Sequence, residues 1–302
     1  MKKKLALLVL AAFMSMSMMS GCVSKQGEET ASSTTAEAGE DNVLNVYTAI
    51  EDEQVSDYLT EFKEQHPDVT VNVTRESTGV ITSRLLAEKD NPVADVVWGL
   101  SATSLLVLKQ EGMLEPYAPE GVDRILPQFK DTDDTPSWVG IDAWETAWIV
   151  NKEVLKEHGI DEVPTSYEDL LDPKYEGLIC MSNPASSGTG LLTVNGIMSL
   201  YGDEEGSGWD MEANALVKKD NIKPIAKEFL DWAISDNIMT KYAKSYPIVA
   251  IGVGDDVPEG YAENPIDQLL PDIDFDKAAA NRETILKEWA ERYDAKSAAE
   301  ES

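Results

Sequence analysis

The chain is 302 residues long and carries 25 lysines and arginines against 56 aspartates and glutamates, a formal net charge of −31. So large an acidic excess argues against nucleic acid or an anionic membrane surface as a partner, although a local site can oppose the global field for a small ligand. The two histidines, His66 and His158, are far apart and lack ligand spacing, which argues against a zinc site.

In chain order, Lys2, Lys3 and Lys4 precede an apolar stretch from Leu5 to Met18, and Ser20-Gly21 places small residues directly ahead of Cys22. That order of charge, apolar core and small-residue cut site predicts a secretory signal over residues 1–21. The apolar run is too short for a permanent membrane span. A cysteine at the cut site resembles the lipobox of bacterial lipoproteins. The resemblance implies acylation of Cys22 and a lipid tether on the outer face of the cell membrane. Residues 22–42 are rich in Ser, Thr, Ala, Glu and Gly and read as a flexible linker. With Cys22 committed, Cys180 has no partner for an intramolecular disulfide, and its apolar setting, Leu178 to Met181, predicts a buried structural thiol.

The folded part begins with a β-type run, Leu44 to Thr48, followed by a helical pattern with Val55, Tyr58, Leu59 and Phe62 on one face. Val69 to Thr74 alternates strictly, Gly79 opens a helix carrying Ile81, Leu85 and Leu86, and Asp95 to Trp98 reads as a third strand. Ser101 then starts a helix with Leu105, Leu106 and Leu108. Strand alternating with helix at this spacing predicts an α/β protein with a parallel sheet and helices on its faces. Further on, Ile222, Ile225, Ala226, Phe229, Leu230 and Ala233 mark an amphipathic helix, and Ile285, Leu286, Trp289 and Tyr293 another. No internal repeat is visible, and the length beyond the linker suits two modest domains.

In an open parallel sheet, ligands bind beyond the carboxyl ends of the strands, where helix N-termini present unpaired N–H groups. Small hydroxyl residues occupy these junctions: Thr48 after Tyr47, Ser77-Thr78-Gly79, Ser101 to Thr103, and Ser186-Ser187-Gly188-Thr189-Gly190. Hydroxyls and amides converging at helix starts suit an oxyanion such as phosphate, phosphonate or carboxylate. Ser and Thr are also the favoured N-cap residues, so each junction alone is explained by capping. The fourth is the exception, because two glycines in a serine-rich turn exceed what a cap requires. Enzymatic signatures are missing: there is no Gly-x-Ser-x-Gly elbow, no Gly-x-x-x-x-Gly-Lys loop, and little to build a Ser-His-Asp arrangement. No cofactor is expected. The acidic run Glu51-Asp52-Glu53 fits a helix start favoured by the macrodipole, with Glu51 able to reach a cationic ligand group.

The segments Tyr47 to Gln54, Asp95 to Ser104 and Ser182 to Gly190, in this order, resemble the solute-binding lipoproteins of ABC importers. The resemblance lies with the ferric-binding-like group of class II periplasmic binding proteins, nearest to 2-aminoethylphosphonate-binding proteins. It runs from about Asn45 to Tyr293 and includes Gly208 to Ala213 and Ala279 to Arg282. It implies two parallel-sheet lobes joined by a hinge: lobe 1 from 43–139 and 207–262, lobe 2 from 140–206 and 263–302. It further implies a non-enzymatic receptor that captures a small phosphonate in the cleft and delivers it to the permease, and the net charge suggests a monomer. Ser77, Thr78, Ser101, Ser186, Ser187, Gly188 and Thr189 would hold the phosphonate oxygens, beside Thr48 and Gly79. Tyr47, Trp144 and an acid among Glu51, Asp142 and Asp210 would shape the amine side. The adjacent tyrosine pair that holds ferric iron in relatives is absent from the sequence, which disfavours iron.

The sequence departs from the family between Tyr201 and Trp209, where relatives carry several dozen residues and this chain carries a short link at 203–207. The second lobe is therefore expected to be shortened, near the lower size for a stable core. The alternatives are a receptor for another small anion or a polyamine, and a non-binding surface module with an internal deletion in lobe 2.

Overall fold

A computed structural model describes residues 40–201, 209–252, 266 and 274–294. The expected signal, Cys22, nearly all of the linker and the short link at 203–207 lie outside the described residues. Eight strands are assigned among the described residues: β1 (Val43–Thr48), β2 (Thr70–Arg75), β3 (Val96–Ser101), β4 (Leu114–Glu115), β5 (Val139–Gly140), β6 (Trp144–Glu145), β7 (Trp209–Asp210) and β8 (Glu212–Val217). The helices are α1 (Asp52–Gln65), α2 (Thr78–Ala87), α3 (Ala102–Gln110), α4 (Lys152–Glu157), α5 (Gly188–Tyr201), α6 (Pro224–Trp232), α7 (Asp236–Tyr242) and α8 (Phe275–Tyr293).

The first three strands and helices fall where the periodicity places them. On α1, Val55, Tyr58, Leu59 and Phe62 are all buried, because positions three and four apart share the face that meets the sheet. β1 pairs in parallel with β2 on one side and β3 on the other. The main sheet runs β2-β1-β3-β8-β4, with β5 also paired to β8. It is mixed rather than purely parallel, since β8 runs antiparallel to β3, β4 and β5. A six-residue strand, Glu212 to Val217, fills the edge of β3 and is buried from Ala213 onward. The core is an aromatic layer in which Trp98, fully buried, meets Phe229, Trp232 and Tyr58, and its Nε1 donates to Tyr242 Oη at 2.8 Å. Asp95 anchors the opposite strand end: it accepts from Lys219 at 2.7 Å and Lys223 at 2.8 Å. Burial opposes its ionisation, but these hydrogen bonds and one from Asn45 N outweigh it and hold the carboxyl below its ordinary pKa.

The chain leaves the main sheet through β5 and β6 and re-enters it through β7 and β8. Trp144 pairs with Asp210 and Gly140 with Ala213, so residues 140–144 and 209–213 run antiparallel side by side. A third segment joins them, with Asp142 bridged to Val249 and Ala143 N donating to Ile248 O. Beyond this crossing lie α4 and α5 with a small cluster of Leu155, Ile160 and Tyr175. Among the described residues this region holds no parallel sheet, only the two-stranded β6-β7 ribbon. α8 packs against both α3 and α5. Its buried face is Ala278, Ala279 and Ile285, whereas Tyr293 is exposed, so the apolar stripe of the sequence is only half used. Cys180 is exposed, contrary to the buried thiol expected. The run Leu178 to Met181 forms no strand, and with so little core beyond the crossing Ile179 and Met181 stay exposed as well.

Candidate functional site

The carboxyl ends of β1, β2 and β3 line up on one rim of the sheet, and the crossing segments close it. Each hydroxyl junction resolves differently there. Thr48 is fully buried and its Oγ1 accepts from Ile50 N at 3.1 Å, a local turn bond. Ser101 caps α3, with its Oγ accepting from Ser104 N at 3.4 Å and bonded to Thr103 Oγ1 at 2.9 Å. Ser187 Oγ accepts from Gly190 N at 3.2 Å at the start of α5. Ser77 sits at the N-cap position of α2 but makes no cap bond. Its Oγ instead donates to Ser186 O at 2.5 Å, and Gly79 N donates to the same carbonyl at 3.2 Å.

Two of the serine-rich turns are thus brought together, 77–79 against 185–188. A Cβ on Gly79 would lie 2.4 Å from Ala185 O, and one on Gly188 would lie 2.9 Å from Thr78 Oγ1. The approach is possible only because both positions lack a side chain. Thr189 is exposed, and its carbonyl accepts from Thr193 Oγ1 at 2.8 Å. Tyr47 is not brought to this rim. Its hydroxyl donates to Glu88 at 2.9 Å beneath α2, with the Arg84 guanidinium over the ring at 4.8 Å. Glu51 is exposed and paired with Arg75 at 2.5 Å. Trp144 is half-buried on β6, opposite Asp210.

Asp210 is buried and turned to the start of α3. It accepts from Thr103 Oγ1 at 2.6 Å, Ala102 N at 3.1 Å and its neighbour Met211 N at 2.8 Å. The α3 N-terminus is therefore matched by an internal carboxylate. Burial pushes the Asp210 pKa up to about 6 despite these donors.

The strongest electrostatic feature lies between the crossing segments and was not singled out as a unit from the sequence. Asp142 is fully buried, and its Oδ1 accepts from Glu212 N at 3.2 Å. The two carboxyl groups lie near enough to raise or lower one another's pKa, and Tyr246 acts on Glu212 in the same way. Burial first, then the neighbouring carboxylate, holds the Asp142 pKa well above the usual range, and burial raises Glu212 to about 8. Gly99 permits the close fit, with φ of +63° and a virtual Cβ 3.3 Å from Glu212 Oε2 and 2.3 Å from Ile50. The signal in the sequence was the spacing Asp210, Glu212, two residues apart at a strand end, but Tyr58 and Tyr246 carried none.

The model of bacterial extracellular solute-binding proteins matches residues 91–212. The solved periplasmic binding protein AfuA of Actinobacillus pleuropneumoniae, with fructose-6-phosphate bound, superposes with a TM-score of 0.71 at 20% identity, covering 82% of this chain and 97% of that one. The fold is that of the class II periplasmic binding proteins. Iron-bound HitA of Pseudomonas aeruginosa shares this class II fold at a TM-score of 0.59 and 14% identity, over 82% of this chain and 98% of its own. By sequence, an uncharacterized Haemophilus influenzae protein is 22% identical over 74% of this chain and 83% of its own length. A probable ABC transporter periplasmic-binding protein of Sinorhizobium fredii is 32% identical over 44% of this chain and 36% of its own length. The thiamine-binding periplasmic protein of Brucella suis is 26% identical over 56% and 49%.

Proposed function

We propose that this chain is the extracytoplasmic, lipid-anchored solute receptor of an ABC importer. It captures a small phosphonate of the 2-aminoethylphosphonate kind and hands it to the permease. Lobe 1 comprises 43–139 and 207–262, and the shortened lobe 2 comprises 140–206 and 263–302. The observation that carries this reading is the pairing of opposite chemistries on one rim. At the glycine-bearing starts of α2 and α5, Ser77, Gly79 and Ser187 are taken up within the turns, which leaves Thr78 and Thr189 to offer hydroxyls to an oxyanion. The carboxyls of fully buried Asp142 and half-buried Glu212 become a counter-charge when an amine displaces their protons. The solute-binding sequence match over 91–212 and the shared fold support the transport role.

Capture occurs by lobe closure, in which the ligand stabilises a closed state already accessible to the free protein. Thermal unfolding of the purified full chain, with and without 2-aminoethylphosphonate, tests this. At about 100 times its dissociation constant the ligand adds roughly 2.7 kcal/mol to the folded state. A cooperative transition that does not move with 2-aminoethylphosphonate but rises with a polyamine selects the second reading, a polyamine receptor, which the acid pair alone favours.

A further inference from the structure

We infer that Asp142, Glu212 and the Tyr58 hydroxyl form a subsite for a protonated amine, set on the strands where the chain crosses from the main sheet to the second lobe. The inference rests on the solute-receptor reading and names the group that anchors the solute. Asp142 Oδ2, Glu212 Oε2 and Tyr58 Oη are buried atoms with no hydrogen-bond partner among the described residues. Ser245 approaches Tyr58 without completing a bond of acceptable geometry. Asp142 is 0% exposed and Tyr58 3% exposed, so these are not groups that water satisfies at a surface. An unmet buried acceptor is costly, and a charged one more so, so several such atoms in one place mark a site that takes protons in the free protein and a donor group when solute is bound.

The missing donor is a compact cation. A primary ammonium carries three N–H groups and a positive charge, matching two carboxylate oxygens and one phenol oxygen. An anion is excluded by the acids themselves. A metal ion is not matched either, since no group of three His, Cys, Asp or Glu residues among those described is disposed to hold one. Aromatic rings stand beside these groups: Tyr58 is edge-on to Tyr242 at 5.0 Å, and Tyr246 lies near Glu212. Glu51, exposed and paired with Arg75, adds negative potential at Glu212. Asp142 and Glu212 lie on segments already paired with each other, Ile141 N donating to Glu212 O at 2.8 Å, so the subsite is set on a fixed part of the fold.

Calorimetry on the full chain reads this directly, with 2-aminoethylphosphonate, ethylphosphonate and putrescine as probes and Glu212→Gln and Asp142→Asn as variants. The expected result is at least tenfold weaker binding of amine-bearing probes by either variant, with ethylphosphonate affinity unchanged or improved. Should neither phosphonate bind the native chain while putrescine binds and Glu212→Gln abolishes it, the phosphonate reading fails and the amine subsite stands. Amine affinity unchanged in both variants overturns the subsite. So does an equal loss for ethylphosphonate and 2-aminoethylphosphonate in variants that still unfold cooperatively, or no binding of either amine probe to the native chain.

Discussion

The Asp210 carboxylate takes three hydrogen bonds at the start of α3, from Thr103, Ala102 N and Met211 N, in the place where the sequence points to an external oxyanion. Ser101 turned inward in the same way and caps the helix. Sequence can identify a polar helix start but not which anion answers it, because the answering residue arrives from a strand more than a hundred positions away. Ser187 makes the same point. The resemblance assigns Ser187 to the phosphonate oxygens, yet its Oγ accepts from Gly190 N. Ser187→Ala is expected to cost about 1 kcal/mol as a lost cap, read from the denaturant midpoint. A variant as stable as the parent would show that this bond contributes nothing.

The raised carboxyls set a pH dependence. Burial lifts Glu212 from 4.5 to about 8 and Asp210 from 3.8 to about 6. A native state that holds protons the unfolded chain releases loses stability as pH rises, here across pH 4 to 8. Asp95 and Glu88, held below their ordinary values, are ionised in both states over the upper part of that window and do not offset the loss. The ligand-free protein is expected to be less stable at pH 8 than at pH 5 by a few kcal/mol at most, on the order set by the pKa differences. Glu212→Gln should flatten the slope between pH 6 and 8, with Asp142, Glu51, Asp210, Tyr58, Tyr242 and Tyr246 the ionisable neighbours that remain. Urea titrations at the two pH values check the sign. Stability rising with pH would mean that Glu212 is ionised in the folded state.

At the scale of elements, the contact between α2 and the 185–188 turn is what joins the main sheet to the far region on this rim. Gly79 has no need of unusual backbone geometry, so alanine there favours the helix by roughly 0.8–1 kcal/mol in isolation. Its Cβ, however, would lie 2.4 Å from Ala185 O. Gly79→Ala is therefore expected to force the 185–188 turn away from α2, the backbone clash outweighing the helix gain so that stability falls, while weakening solute affinity tenfold or more by holding the rim apart. Small-angle scattering should show a larger radius of gyration with ligand present. Unchanged affinity and dimensions would mean that this contact does not accompany capture. The helices α1, α2, α3 and α6 were legible because their apolar positions recur at three and four and meet one sheet. β8 was not legible: Asn214 interrupts Ala213, Ala215, Leu216 and Val217, and that asparagine is kept inside to accept from Gly99 N at 3.0 Å. A strand that pairs antiparallel after a long excursion leaves no local trace of its partner.

Across the whole molecule the apolar burial is uneven. The main sheet is backed by a continuous core running from Leu44 to Ala279, whereas the region beyond the crossing has Leu155, Ile160 and Tyr175 with Val150 and Leu178 beside them. The same region exposes Ile149, Leu171, Ile179, Leu200 and Tyr201. Sequence length anticipated a small second lobe, but not that its apolar side chains would face outward, because periodicity reports a face and not whether anything covers it. Local opening is easiest where buried contacts are few. Amides of α4 and of 178–187 are therefore expected to exchange with solvent at least a hundredfold faster than those of β1, β3 and β8 in the free protein. Solute that closes the rim should slow exchange at 77–79 and 185–188 most, since those turns bond each other directly. Uniform protection across both regions, or protection by solute confined to the main sheet, would show that the far region folds on its own terms and takes no part in capture.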